Sequence, residues 1–134
     1  MEKCIIKFFK DLNVYDEKMF DLIEKNTTIV DRNYDEIKDL VGCYIVNNKP
    51  KLLLPKIYSN RDLLIHIHEY THALTMSDNE ILPSMMEAFF VRLYIHDKNV
   101  INELIAKTNE EIEKSVSKKH TIAKRIKLKY LKKY

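Results

Sequence analysis

The segment Leu63-Leu-Ile-His-Ile-His-Glu-Tyr-Thr-His-Ala-Leu74 carries the strongest structural signal in this chain of 134 residues. A capping-box pattern precedes it, with Ser59 three residues before Asp62, and neither glycine nor proline interrupts the residues that follow. The sequence therefore predicts a helix from about Asn60 to Thr75. Because residues four apart share one helix face, the histidines of the His-Glu-x-x-His pattern can direct both imidazoles at one metal ion.

The glutamate of this pattern has a different place. Glu69 lies about 100° around the helix from His68, so its carboxylate stands beside the metal rather than within the ligand set. Zinc held by three protein groups lowers the pKa of its water to about 7, and a neighbouring carboxylate can accept that proton. The pattern thus predicts zinc on His68 and His72, with Glu69 as catalytic base. A plainer interpretation also stays open, in which both histidines are hydrogen-bonded residues on a buried helix face.

A catalytic zinc needs a third protein ligand, and four downstream residues are candidates. Glu87 is favoured because it lies about one turn into the next predicted helix, which an antiparallel helix pair would bring level with the second histidine. Asp78 is the main alternative, because its spacing from His72 is the one used when the chain turns abruptly below the metal. Such a turn needs glycine at position 75, where this chain has Thr75. The other candidates are Glu80 and His96.

The remaining patterns predict an α+β fold around this helix. The segment 42–55 is typical of a β-hairpin that turns at 47–50, and its prolines favour an edge position for the second strand. Pro83 fits the first turn of a helix that reaches about Tyr94. The other predicted elements are two short amphipathic helices near 5–12 and 19–23, a β-branched stretch at 27–30, a helical turn within 34–41 capped by Gly42, and a helix from 99 onward. We expect one small domain with a short antiparallel sheet packed on two helices and a helical C-terminal extension.

The motif and the order of elements resemble the zincin metallopeptidases, and among them the gluzincins, in which a glutamate on a second helix completes the site. The chain is most similar to the minigluzincins, and peptidase domains of the ImmA/IrrE type are a second comparison. The resemblance covers about residues 27–96. It implies a peptide or protein substrate, zinc on His68, His72 and Glu87, and Glu69 as base. It also implies that one hairpin strand, residues 51–54, forms the rim that pairs with an extended substrate.

The same resemblance implies a residue that stabilises the oxyanion, for which such enzymes use Tyr, His or Arg. Tyr94 is favoured as this second catalytic residue, because it follows Glu87 by seven residues and so shares its helix face. The other candidates are Arg92, His96 and His66. Several gluzincins carry an acid four residues after the ligand glutamate, where this chain has Val91. Support for the metal-binding histidines must then come from elsewhere, such as a backbone carbonyl.

Composition limits the class of protein. Charged residues make up 32% of the chain, and no apolar run approaches the roughly 18 residues of a membrane span, so we expect no membrane association. The first residues lack a signal-peptide pattern, and two cysteines allow at most one disulfide, which together predict a cytoplasmic protein with reduced thiols. A single glycine excludes glycine-rich phosphate loops.

The net charge of +3 hides an uneven distribution. Residues 118–134 hold eight Lys and Arg and no acid, which leaves −5 on residues 1–117. We therefore divide the chain into a zincin-like metallopeptidase domain, 1–117, and a basic C-terminal tail, 118–134. The tail can be a solvated terminus, a segment that covers the cleft and inhibits its own domain, or a site for a polyanion such as nucleic acid, the less favoured partner.

Three functional hypotheses follow from these observations. The favoured one is a zinc-dependent metallopeptidase that hydrolyses peptide bonds with a zinc-bound water and Glu69, and whose tail can hold it latent by covering the cleft. The second is a catalytically silent metal-binding or interaction domain of the same shape. The third is polyanion binding through the basic tail, with the histidine motif incidental.

Overall fold

The first part of the chain forms short helices and a small sheet, and the second part forms longer helices. The computed structural model describes the backbone of residues 2–131 and the side chains of residues 2–116. Its elements in chain order are α1 (Lys3–Asp11), α2 (Glu17–Lys25), β1 (Thr27–Val30), α3 (Tyr34–Ile37), β2 (Gly42–Val46), β3 (Lys49–Pro55), α4 (Asn60–Thr75), α5 (Ile81–Phe90), a π-helical turn (Val91–Ile95) and α6 (Lys98–Leu131). They form a small α+β domain, as predicted. Within the described part, no helix combines the length and apolar character needed to cross a membrane.

The three strands form one mixed sheet in the order β1-β3-β2. β2 and β3 pair antiparallel with Val46 opposite Lys49, so Asn47 and Asn48 alone make the turn. Both asparagines have positive φ, 53° and 62°, which two-residue hairpin turns require. The hairpin is thus confirmed with a shorter turn than predicted. The prediction of an antiparallel sheet is wrong for β1, which pairs parallel to β3.

The position of β3 corrects two further predictions. It is the central strand rather than an edge strand, since β1 and β2 occupy its two sides. Its prolines are tolerated because Pro50 and Pro55 lie at or next to the strand ends, where a missing N–H removes little of the ladder. Residues 51–54 are therefore not a free edge for a substrate, because β1 pairs along Leu52–Pro55 and β2 along Lys49–Leu53. Among the described strands, β1 and β2 each have an unpaired outer edge. Gly42 begins β2 instead of capping α3.

One buried carboxylate organises the start of α4. The capping box is confirmed: the Ser59 side chain accepts from the Asp62 N–H, and Asp62 in turn accepts from the backbone of Ser59. The Asp62 carboxylate also accepts from the N–H of Tyr58 at 2.9 Å. Asp62 is only 4% exposed, so these hydrogen bonds are shielded from water. At the other end, Met76 takes up a left-handed conformation and ends the helix just after Thr75.

A chain of aromatic rings packs the N-terminal helices against α4 and α5. Phe8, Phe9 and Phe20 contact one another in sequence, with ring centroids 5.2–5.3 Å apart. Phe90 of α5 meets Phe8 edge-on, and Tyr70 of α4 stacks near Phe20. All five are almost fully buried. This cluster fixes the two helices that carry the predicted site relative to each other.

The second predicted helix is interrupted. α5 begins two residues before Pro83, which places the proline in the first turn as predicted. The helix ends before Tyr94, because the chain widens into the π-helical turn, where the N–H of His96 donates to the carbonyl of Val91 at 2.6 Å. An i→i+5 turn holds more residues than an α-helical turn, so residues beyond Val91 lose the register that α-helical spacing predicts.

Helix α6 forms the C-terminal extension and has 34 residues. It packs along α5 and the π-helical turn. The predicted boundary between residues 117 and 118 falls inside this helix. The side chains of the basic tail lie outside the described residues, so a self-inhibitory role for the tail stays a prediction.

The buried capping carboxylate predicts a stability effect. Asp62→Ala removes the acceptor of three hydrogen bonds at the start of α4, and we expect the free energy of unfolding to fall by about 1–3 kcal/mol. Urea denaturation followed by circular dichroism measures it. The control is Asp39→Ala, which removes an exposed carboxylate and should change the free energy by less than about 0.5 kcal/mol. Equal effects of the two substitutions would contradict this account of the helix start.

Candidate metal centre

Two histidines on α4 form the centre of the site. The Nε2 atoms of His68 and His72 lie 3.2 Å apart, and the side chains are 13% and 9% exposed. Donor atoms of both histidines and of Glu69 all lie within 4.8 Å of one another. The helix thus brings together the three residues that the motif predicts, in an environment largely shielded from solvent.

Each imidazole is held through its Nδ1 atom. His72 Nδ1 lies 2.7 Å from the carbonyl oxygen of Ser77, and His68 Nδ1 lies 3.2 Å from Oε1 of Glu87. A carbonyl oxygen can only accept, so Nδ1 of His72 carries a hydrogen, and in the neutral imidazole its Nε2 keeps a lone pair. An ionised Glu87 favours the same tautomer at His68. Both Nε2 lone pairs can therefore serve one cation.

Glu80 closes the site on the side of the two Nε2 atoms. Its Oε2 lies 2.8 Å from His68 Nε2 and its Oε1 lies 3.0 Å from His72 Nε2. The residue immediately precedes α5, and hydrogen bonds within the preceding loop, from the Asn79 N–H to Ser77 and from the Ile81 N–H to Asn79, shape the approach. Among the four candidates for the third ligand, the structure therefore brings Glu80 to both histidines.

Glu87 occupies a different position. It lies on α5 with 7% of its surface exposed, and it contacts His68 through Nδ1, the ring nitrogen that does not meet Glu80. This geometry favours a role for Glu87 in orienting His68 over the predicted role of third ligand. Glu87 itself thus provides the supporting acid that several gluzincins carry at the position of Val91. The second oxygen, Oε2, is buried without a hydrogen-bond partner among the described residues. A buried carboxylate oxygen in that state is costly unless positive charge lies nearby.

Glu69 lies against strand β2. Burial raises the pKa of its carboxyl, whereas the two histidines and a backbone hydrogen bond from Cys43 oppose that rise. Burial, with the charge of Glu69, also raises the pKa of the Cys43 thiol to about 11. Without a metal the thiol is therefore protonated near neutral pH and is a poor nucleophile.

Negative charge surrounds the histidine pair. Burial alone would lower the pKa of His68, but Glu87, Glu69 and Glu80 together raise it above its ordinary value. Three carboxylates thus surround two imidazoles. The site therefore attracts positive charge, whether as protons or as a metal cation.

The donor distances fit a divalent metal. Two nitrogens that are each about 2.0–2.1 Å from one tetrahedral zinc lie about 3.3–3.4 Å apart. The two Nε2 atoms are 3.2 Å apart, and the Glu80 oxygens are slightly closer to them, at 2.8 and 3.0 Å. Since the Glu80 side chain is 42% exposed, it has room to move outward by the few tenths of an ångström required. His68, His72 and Glu80 could thus hold zinc and leave one position open.

Tyr94 is not brought to this cluster. Its hydroxyl donates to Asp11 at 2.8 Å, and its ring stacks on Phe90 with centroids 5.0 Å apart. The expected oxyanion role assumed α-helical spacing from Glu87, and the π-helical turn breaks that spacing. The structure thus gives Tyr94 a packing role between α1 and α5.

The remaining sequence candidates also lie elsewhere. His66 is buried with its Nε2 2.7 Å from the carbonyl oxygen of Pro55, which ties α4 to the end of β3. Asp78, Arg92 and His96 are exposed, and none makes a hydrogen bond or ion pair with either site histidine within the described residues. The structure therefore does not support Asp78 as third ligand, and it does not support His66, Arg92 or His96 as the oxyanion residue.

Comparisons with known proteins return no relative. No family model, curated protein or solved structure matches the chain. The chemistry of the site must therefore be argued from its residues and their geometry, and the likeness to gluzincins stays a matter of motif and element order.

The geometry predicts a ranking of zinc affinities. Glu80→Ala removes the carboxylate that meets both Nε2 atoms, and we expect zinc binding to weaken at least about 100-fold, because two histidines alone hold zinc poorly. Glu87→Ala removes only the support of His68 and should weaken binding about 10-fold. Competition with a chromogenic chelator measures both dissociation constants.

Asp78→Ala is the matched control for this ranking, since it removes a carboxylate from the same loop and should leave zinc affinity unchanged. Circular dichroism confirms that each variant is folded. A larger loss in Glu87→Ala than in Glu80→Ala would restore Glu87 as the third ligand, and a loss confined to Asp78→Ala would favour the sharp-turn arrangement.

Proposed function

We propose that this protein is a zinc-dependent peptidase with a zincin-like site. One observation carries the proposal: the paired Nε2 atoms of His68 and His72, each imidazole anchored through Nδ1, with the Glu69 carboxylate beside them. A buried structural histidine pair would need neither two anchored tautomers nor three surrounding carboxylates. A hydrolytic metal site uses both, because the metal needs free lone pairs and a base next to it.

The metal would be held by His68, His72 and Glu80, with Glu87 positioning His68. Bound there, zinc would supply Lewis acidity, which lowers the pKa of water and polarises a carbonyl. Within the chain itself, the Ser77 carbonyl and the Glu87 carboxylate keep each imidazole in the tautomer whose Nε2 is free. The burial of both rings keeps bulk water from competing for these hydrogen bonds.

Glu69 is the proposed general base. Its carboxylate is close to the histidine donors but is held by the Cys43 backbone, whereas Glu80 contacts both Nε2 atoms directly. Because Glu80 rather than Glu69 contacts the Nε2 atoms, Glu69 is available to accept a proton from an attacking water and to pass it to the leaving amine. Such proton transfer by a positioned carboxylate contributes about 100- to 10,000-fold to rate.

The free edge of β2 is the proposed rim for an extended substrate, in place of residues 51–54. Cys43 of this strand contacts Glu69, so the edge adjoins the proposed base. Tyr44, Ile45 and Val46 are each about half exposed. Unpaired backbone groups on such an edge can add a peptide as a further strand.

A catalytically silent metal-binding domain is the second candidate. It is favoured by the placement of Tyr94, because none of the proposed oxyanion residues contacts the histidine cluster among the described residues. The two candidates share the metal site and differ only in turnover. Zinc content together with peptide cleavage separates them.

Substitution of Glu69 tests the peptidase proposal. In Glu69→Gln we expect zinc to stay bound and hydrolysis to fall at least about 100-fold, because the amide cannot accept the proton while the ligands stay intact. Cleavage of a diverse peptide mixture, followed by mass spectrometry, measures turnover, and atomic emission measures zinc.

Glu103→Gln serves as the control, since this glutamate is exposed on α6 and should leave both quantities unchanged. Cleavage by Glu69→Gln at the rate of the unmodified protein would refute the assigned base. A zinc-loaded, unmodified protein that cleaves no peptide in the mixture would replace the peptidase by the silent metal-binding domain.

A further inference from the structure

A small cleft adjoins the proposed metal site. It has a volume of about 170 Å³ and includes His68, Glu69 and Glu87 in its lining. Tyr34, Val41 and Ile65 also line it, so apolar surface faces the charged groups. Since a water molecule occupies about 30 Å³ of liquid, this volume suits one residue-sized group rather than a longer segment.

Lys107 is the cationic residue that lines this cleft. It comes from α6, which packs along α5 and so reaches the site from outside the histidine helix and the sheet. One residue further on, Thr108 is buried, and its hydroxyl donates to the Leu104 carbonyl at 2.8 Å. This part of α6 is therefore packed against the domain, which fixes the backbone that carries Lys107.

The ammonium group of Lys107 makes no ion pair within 4.0 Å among the described residues. By contrast, Lys114 on the same helix contacts Glu110 and Glu111, at 3.3 and 3.6 Å. Lys107 is an exposed residue that lines a cleft whose other titratable side chains are those of Glu69, Glu87, His68 and Tyr34. The two carboxylates repel an anionic group. Such a group would therefore bind at the side of the cleft that Lys107 lines.

We propose that Lys107 binds a carboxylate of the peptide substrate and thereby sets the specificity of the site. This inference rests on the proposed function. The carboxylate can belong to an Asp or Glu side chain next to the cleaved bond, or to a free C-terminus, and the two sources share the same charge-assisted contact. The small volume of the cleft and its apolar lining suit a single substrate residue that ends in such a group.

Peptide binding to a hydrolytically impaired protein tests this inference. The probes are three fluorescent peptides of one sequence: a neutral amidated form, an amidated form with one Glu, and a neutral form with a free C-terminal carboxylate. Binding is measured on zinc-loaded Glu69→Gln protein. We expect one of the two carboxylate-bearing peptides to bind about 10-fold more tightly than the neutral amide, which is typical of a hydrogen bond between charged groups.

Substitution at position 107 assigns that preference to one residue. Lys107→Glu in the same Glu69→Gln background should abolish or reverse the preference, and Lys107→Arg should retain it. Lys98→Glu is the matched control, because it makes the same charge change on the same helix outside the cleft and should retain the preference. Which carboxylate-bearing peptide binds more tightly identifies the source of the carboxylate.

The outcomes separate this inference from the peptidase proposal. A preference for carboxylate that depends on Lys107 supports the binding role even if the unmodified protein cleaves no peptide. Equal binding of the three peptides, binding to none of them, or a preference unaffected by Lys107→Glu would overturn the inference. In those cases, cleavage by the unmodified protein would still support the peptidase proposal.

Discussion

The site depends on one constraint: two imidazoles four residues apart must keep both Nε2 atoms free and directed at the same space. Helical geometry brings His68 and His72 to one face, but it does not fix the orientation of either ring. The Ser77 carbonyl and the Glu87 carboxylate do so by occupying the two Nδ1 atoms. Without these anchors, the rings could take up the opposite tautomer and offer an N–H instead of a lone pair.

The surrounding fold places the anchors. Ser77 lies two residues beyond the end of α4, and the left-handed conformation of Met76 turns the chain so that the Ser77 carbonyl reaches His72. Glu87 depends on the packing of α5, which the aromatic cluster around Phe8 and Phe90 secures. The candidate metal centre therefore depends on the core of the domain as well as on the helix that carries the motif.

Sequence patterns predicted the elements better than their arrangement. The capping box, the hairpin and the helix from Asn60 to Thr75 follow from local chemistry, and all three are confirmed. The parallel pairing of β1 with β3 is a contact between segments distant in the chain, and no local pattern encodes it. The prolines of β3 favour an edge strand in the sequence, but β3 is central, and Pro50 and Pro55 lie next to and at its ends.

In the candidate site, too, contacts within one helix follow from the sequence and contacts between elements do not. His68, Glu69 and His72 come together because helical spacing alone determines their proximity. The sequence favours Glu87 over Glu80 as third ligand, whereas the structure brings Glu80 to both Nε2 atoms. Their roles depend on the loop after α4 and on which nitrogen of His68 each glutamate meets, and no local pattern encodes either. Tyr94 contacts Asp11 rather than the histidine cluster, because the π-helical turn, which no sequence pattern indicates, changes the helical register.

Metal content tests the central claim most directly, because each functional proposal for the histidine cluster depends on a cation at the two Nε2 atoms. The protein would be purified without chelator, and its zinc would be measured by atomic emission beside that of His68→Ala and His72→Ala variants. The account predicts about one zinc per chain in the unmodified protein and a loss of zinc in both variants. A folded, unmodified protein that holds no more zinc than the variants, even after zinc is added, would contradict it.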